Sequence, residues 1–156
     1  MKETNPKDAV AIMKPPTTTI PQNVIAEVGV GMLEGARKYG RHNYRTLGIT
    51  AGVYIDATKR HLDYWWEGED LDPDSGLSHI TKAISSLVVM RDAMLNRKMT
   101  DDRPPKSDVK QHRIYLEALV ENIFERYPNP VPSCTEEGNQ TNERDPYSQT
   151  GCLHET

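Results

Sequence analysis

The chain has 156 residues, of which 36% are hydrophobic and 27% charged, enough for one folded domain and a polar remainder. No stretch approaches the ~18 apolar residues of a spanning helix, and the N-terminus Met1-Lys-Glu-Thr-Asn-Pro has no apolar signal-peptide core, so the expectation is a cytoplasmic protein with no membrane partner. Residues 128–156 carry the whole net charge of −4, with five acids against Arg144; the body is neutral, which argues against duplex nucleic acid as a partner.

Residues 1–21 read as an extended arm, because Pro15, Pro16 and Pro21 break any helix there. A first helix is expected over about 22–39, with Asn23 as its cap, Ile25, Val28, Met32, Leu33 and Ala36 at helical spacing, and Gly40 as its stop. Residues 41–48 read as a loop. A second helix follows over about 51–67, with Thr50 at the cap position and Val53, Ala57, Leu62, Tyr64 and Trp65 on its apolar positions; Trp65 and Trp66 are expected in the core. The segment 67–76 has Gly at both its ends and Pro73 inside, so it is a loop. The third helix, about 77–98, is the most apolar, and Asp74 or Ser75 is placed to cap it. A linker at 100–105 leads to a fourth helix over about 107–127, capped by Ser107, with Ile114, Leu116, Leu119, Val120, Ile123 and Phe124 as its stripe. From Pro128 onward the composition is that of a disordered acidic tail, and both cysteines, Cys134 and Cys152, lie in it, which excludes a disulfide framework for the core. No alternating strand pattern is present. The fold class is therefore all-α, a four-helix-type bundle with a catalytic domain at 22–127. The third helix is apolar on too many sides for a surface element, so oligomerisation is expected to complete the bundle.

The densest chemical signal is acidic: residues 63–74 hold six carboxylates, Asp63, Glu67, Glu69, Asp70, Asp72 and Asp74. Neighbouring carboxylates repel, and hard oxygen ligands on a loop suit Mg²⁺, Mn²⁺ or Ca²⁺; the alternative is a solvated turn. A calcium-binding EF-hand loop starting at Asp70 fails, since Gly76 falls at position 7 where the loop needs Gly at 6, and Thr81 falls at position 12 where it needs Glu. Glu34 stands four residues before Lys38, which is either an exposed ion pair or a carboxylate and ammonium aimed at a metal and a phosphate. Arg60 and His61 precede the acidic loop and His79 follows it.

Three segments occur together and in order: Asn5-Pro-Lys-Asp-Ala; Glu34-Gly-Ala-Arg-Lys-Tyr-Gly40 with Asn43-Tyr-Arg45; and Arg60-His-Leu with Trp65-Trp-Glu-Gly-Glu-Asp-Leu-Asp-Pro-Asp-Ser-Gly-Leu-Ser-His79. Over about residues 5–105 the chain resembles the phage dATP/dGTP diphosphohydrolases, the MazZ-type enzymes related to MazG pyrophosphohydrolases. The resemblance implies an all-α fold, dependence on Mg²⁺ or Mn²⁺, assembly as a homodimer or homotetramer in the host cytoplasm, and hydrolysis of dGTP or dATP to the monophosphate and pyrophosphate. In phages that use 2-aminoadenine, the dGMP would feed synthesis of that base. The chain departs from the MazG pattern, because Glu27 and Glu34 are seven apart and the third helix offers His79 and Lys82 where MazG has Glu-x-x-Asp. The metal candidates are therefore the acids within this family's own motifs: Glu34, Glu69, Asp70 and Asp72. Glu34 or Glu69 would take a proton from water, Lys38 and Arg60 would neutralise phosphate, and His79 or His61 would contact phosphate or protonate the leaving group. Asn43 and Arg45 would hold base or sugar. The rival readings are a non-catalytic metal-binding interaction module and a nucleotide hydrolase acting on a different phosphate bond.

Overall fold

The computed structural model describes residues 5–11 and 13–135. In chain order the elements are α1 (Pro6–Ala11), α2 (Gln22–Tyr39), α3 (Asn43–Thr46), β1 (Ile49–Thr50), α4 (Ala51–Trp66), α5 (His79–Leu95), β2 (Met99–Thr100) and α6 (Val109–Arg126). The protein is all-α, and the four long helices expected from apolar spacing are all present. The expected disordered tail lies outside the described residues from 136 onward. By contact the chain forms two units, Met1–Pro105 and Lys106–Thr156, and α6 belongs to the second. Asp108 caps α6 by accepting from the Gln111 N–H, and no residue of that helix is buried.

Several local expectations are corrected. The N-terminal arm is not wholly extended: Asn5 accepts from the Lys7 N–H and Pro6 opens a short helix, the arrangement that suits Asn at a cap and Pro in the first turn. Asn23 does not cap α2, which starts one residue after Pro21 with no side-chain cap. Its C-terminal stop is Gly40, at φ 94°, whose N–H reaches the Ala36 carbonyl. The segment 41–48 folds into a turn of helix, entered through His42 in the left-handed region at φ 58°. Thr50 occupies the cap position of α4 without a side-chain bond; the Gly52 N–H is met by Asp102 Oδ1, 2.8 Å away and fifty residues on. Neither Asp74 nor Ser75 caps α5; Ser78 does.

In the first unit α4 and α5 form the main packed pair, and α2 lies against α5. Parallel pairing of β1 with β2, Ile49 opposite Met99, ties the start of α4 to the segment after α5. This pair escaped the sequence reading because two residues cannot display an alternating pattern. Tyr44, Ile49 and Ala93 form the core, with Met32, Tyr54, Val89, Met90 and Met99 packed around them. Trp65 and Trp66 are not in it: both are exposed.

Candidate functional site

The acidic loop between α4 and α5 is a folded structure, not a solvated turn. Leu71 and Ser78 form an antiparallel bridge, the Asp72 N–H bonds to the Leu77 carbonyl, and the His79 N–H bonds to the Asp70 carbonyl. Asp72 Oδ2 accepts from both the N–H and the hydroxyl of Ser75, which closes the loop from inside. Asp72 alone among the loop's acids is buried.

Beside this loop α2, α4 and α5 enclose an open cleft of about 850 Å³. Its size falls within the ~300–1,000 Å³ of small-molecule sites. Glu34, Lys38, Asn43 and His61, four of the expected site residues, line it, and Lys82 joins them. Glu34 is half of neither a lone surface pair nor an acid cage. Its Oε1 accepts from Lys38 and its Oε2 from Lys82, each at 2.5 Å. Lys82 Nζ also stands 3.4 Å from Asp72 Oδ2. The ammonium groups alternate with the carboxylates, so the wall is nearly neutral as built. The Lys38 hydrogen bond, then that of Lys82, holds the Glu34 pKa below its ordinary value against the opposing effect of burial. Burial would raise the pKa of Asp72, but the Ser75 bonds and the Lys82 charge outweigh it and leave the group lowered.

Among the described residues His79 is the largest fully buried side chain. It lies between two residues of α4, with its ring centroid 5.1 Å from that of His61 and 5.3 Å from that of Tyr64. The two Nδ1 atoms of His61 and His79 are 2.8 Å apart, while His79 Nε2 is buried, has no hydrogen-bond partner among the described residues, and has Glu69 Oε1 at 3.6 Å. Burial first, then the neighbouring His79, lowers the His61 pKa.

The remaining expected residues fall elsewhere. Arg45 is not directed at the cleft; its guanidinium makes a two-point bond to Asp92 of α5, both contacts at 2.7 Å, and pins α3 to that helix. Arg60 is exposed and has no ion pair among the described residues, and the Asp70 side chain likewise has no partner there. The four acids expected to share a metal do not assemble as a cage. Both oxygens of Glu34 already meet ammonium groups, and Glu69 faces His79. Among the described residues, the one set of three donors that comes together is His61, Asp72 and His79, whose ligand atoms lie within 4.8 Å of one another. In the sequence Lys82 stands out only as a departure from the MazG pattern. Its spacing, three residues after His79 on one helical face, was the available signal.

Residues 4–103 match the family described as dATP/dGTP diphosphohydrolase, N-terminal. A dATP/dGTP diphosphohydrolase of Salmonella phage PMBT28 is 34% identical over 125 residues, 77% of this chain, and the chain spans 42% of that relative's length. No solved structure matches. The matched stretch contains the whole cleft and the acidic loop, and the chain belongs to the dATP/dGTP diphosphohydrolase family.

Proposed function

We propose that the chain hydrolyses a purine deoxynucleoside triphosphate, dGTP or dATP, between the α- and β-phosphates, and releases the monophosphate and pyrophosphate. The observation that carries this reading is the pair of ammonium groups, Lys38 and Lys82, held on the cleft wall by Glu34. A triphosphate brings about four negative charges, and two positioned ammonium groups are the counter-charge that the cleft supplies. On arrival the phosphate oxygens compete with Glu34 for Lys38 and Lys82, which already point at the cleft and need little reordering. Glu34, kept anionic by two cations, is a weak proton acceptor, so its part is to position the lysines. Asn43, together with the half-buried Tyr54 of the same lining, offers an amide and an aromatic ring to the base and sugar.

A divalent ion, Mg²⁺ or Mn²⁺, belongs to this reading; it would arrive with the triphosphate, and when bound it would polarise phosphoryl oxygen and acidify water. The acting form is a homodimer or homotetramer. In a phage that replaces adenine by 2-aminoadenine, the dGMP released would supply that pathway.

The test is a product assay with each deoxynucleoside triphosphate and Mg²⁺ or Mn²⁺, with nucleotides separated by chromatography and pyrophosphate measured against phosphate. The expected result is dGMP or dAMP with one equivalent of pyrophosphate. Nucleoside plus triphosphate, or diphosphate plus phosphate, would reject the assigned bond. No turnover under any condition would favour a binding module.

A further inference from the structure

The pairing of His61 with His79 has a use that a carboxylate cage for Mg²⁺ does not. Three donors from three segments converge here: His61 from α4, Asp72 from the loop and His79 from the first position of α5. Their ligand atoms lie within 4.8 Å of one another. Two nitrogens bound to one metal at roughly 2.0–2.1 Å stand roughly 2.9–3.4 Å apart, and the two Nδ1 atoms are 2.8 Å apart before any ion has adjusted them. As a purely internal contact, this arrangement needs one imidazole to donate from Nδ1 and the other to accept.

The surroundings fit ligation. If Nδ1 of His79 binds the ion, its proton must sit on Nε2, which is buried with no hydrogen-bond partner among the described residues and has Glu69 Oε1 at 3.6 Å. A carboxylate on the far nitrogen of a ligating histidine fixes its tautomer and raises its basicity. Asp72 is held by Ser75 through Oδ2, which leaves Oδ1 without a hydrogen bond among the described residues. Lys82 approaches Asp72 at Oδ2, 3.4 Å away, and it shares its charge with Glu34.

We propose that His61, Asp72 and His79 form a binding site for one divalent first-row transition ion, such as Co²⁺, Ni²⁺ or Zn²⁺, and that Mg²⁺ does not occupy it. The selectivity follows from the ligands: imidazole nitrogen suits these ions, whereas Mg²⁺ demands oxygen. Glu69 is then a positioning residue for His79. The inference rests on the geometry of these side chains and not on the nucleotide reading.

The experiment uses the full chain, stripped with a chelator and titrated with Co²⁺, the visible d–d absorption being the readout. One Co²⁺ per chain is expected, with a spectrum distinct from that of the aquo ion and insensitive to millimolar Mg²⁺. His61→Gln, at a partly exposed position, should weaken Co²⁺ binding by at least about tenfold with unchanged circular dichroism, and Glu69→Gln should weaken it by about tenfold. An aquo-ion spectrum, displacement by Mg²⁺, or equal affinity in wild type and His61→Gln would overturn the proposal and leave the histidines as a packing pair. No nucleotide enters the measurement, so its failure and the failure of the pyrophosphate assay are separate results.

Discussion

Lys82 is the residue on which the cleft's charge balance turns. One ammonium serves Glu34 of α2 and Asp72 of the loop, so it ties both segments to α5. Removing it leaves two neighbouring carboxylates facing an incoming triphosphate. Lys82→Met is expected to lower kcat/KM for dGTP roughly 10²-fold, the order seen when one positioned electrostatic donor is lost. Lys82→Arg should recover part of this. Unchanged kinetics in Lys82→Met would remove the lysine from the site. Arg45 leads to the opposite expectation. Its bond to Asp92 lowers the pKa of that carboxyl below its ordinary 3.8. The carboxyl's contribution to stability is therefore full above the unfolded value and lost as pH falls through the folded one. Arg45→Met should flatten the acid limb of a plot of thermal midpoint against pH and keep turnover within a few-fold; a large loss of turnover would return Arg45 to the substrate. Glu34, Lys38, Asn43 and His61 of the cleft lining, and His79 beside His61, stand in local motifs, so the sequence alone offers them as candidates. The partners of Arg45 and Lys82 are not legible in it, because Asp92 and Glu34 lie on other helices and no periodicity links them.

The helices themselves were the most legible part of the chain, since amphipathic spacing and Gly40 are properties of neighbouring residues. Their ends were not. α4 receives its carboxylate from Asp102, and α5 starts at His79 because Leu77 and Ser78 are engaged in closing the acidic loop. The same contrast between local rule and tertiary context appears at two glycines of α2. A Cβ on Gly29 would meet nothing within 4 Å, whereas a Cβ on Gly31 would lie 2.6 Å from Ser85 Oγ and 3.6 Å from Leu77 Cδ1. Intrinsic propensity alone favours alanine at both. Gly29→Ala should therefore stabilise the chain by about 0.5–1 kcal/mol. Gly31→Ala should destabilise it by about 1–3 kcal/mol, because Ser85 is buried and hydrogen-bonded to the Thr81 carbonyl and cannot readily yield. Chemical denaturation of the two variants checks both signs, and a stabilised Gly31→Ala would mean that α2 and α5 are not in close contact at this point.

At the scale of the whole molecule, what stands out is how little apolar side chain one copy buries. Among the described residues the buried hydrophobics are Val28, Tyr44, Ile49 and three alanines, and the largest fully buried side chain is an imidazole. Val30 and Leu33 of α2 are 52% and 60% exposed, Leu87 and Val88 of α5 are 41% and 42% exposed, and Trp66 of α4 is 79% exposed. A body of this size depends on its apolar area for stability, and exposed apolar positions spread over three adjoining helices mark surface that association would cover. The apolar excess of the third predicted helix was the sequence sign of this. Light scattering should give two or four times the chain mass of 17.7 kDa. The thermal midpoint should rise with protein concentration, since mass action favours the assembled state. Leu87→Glu should lower both the assembled mass and the midpoint, with the secondary structure retained at high concentration. A monomeric mass together with a concentration-independent midpoint would show that one copy is stable with these side chains in water, and the assembly would then be no part of how the cleft is held open.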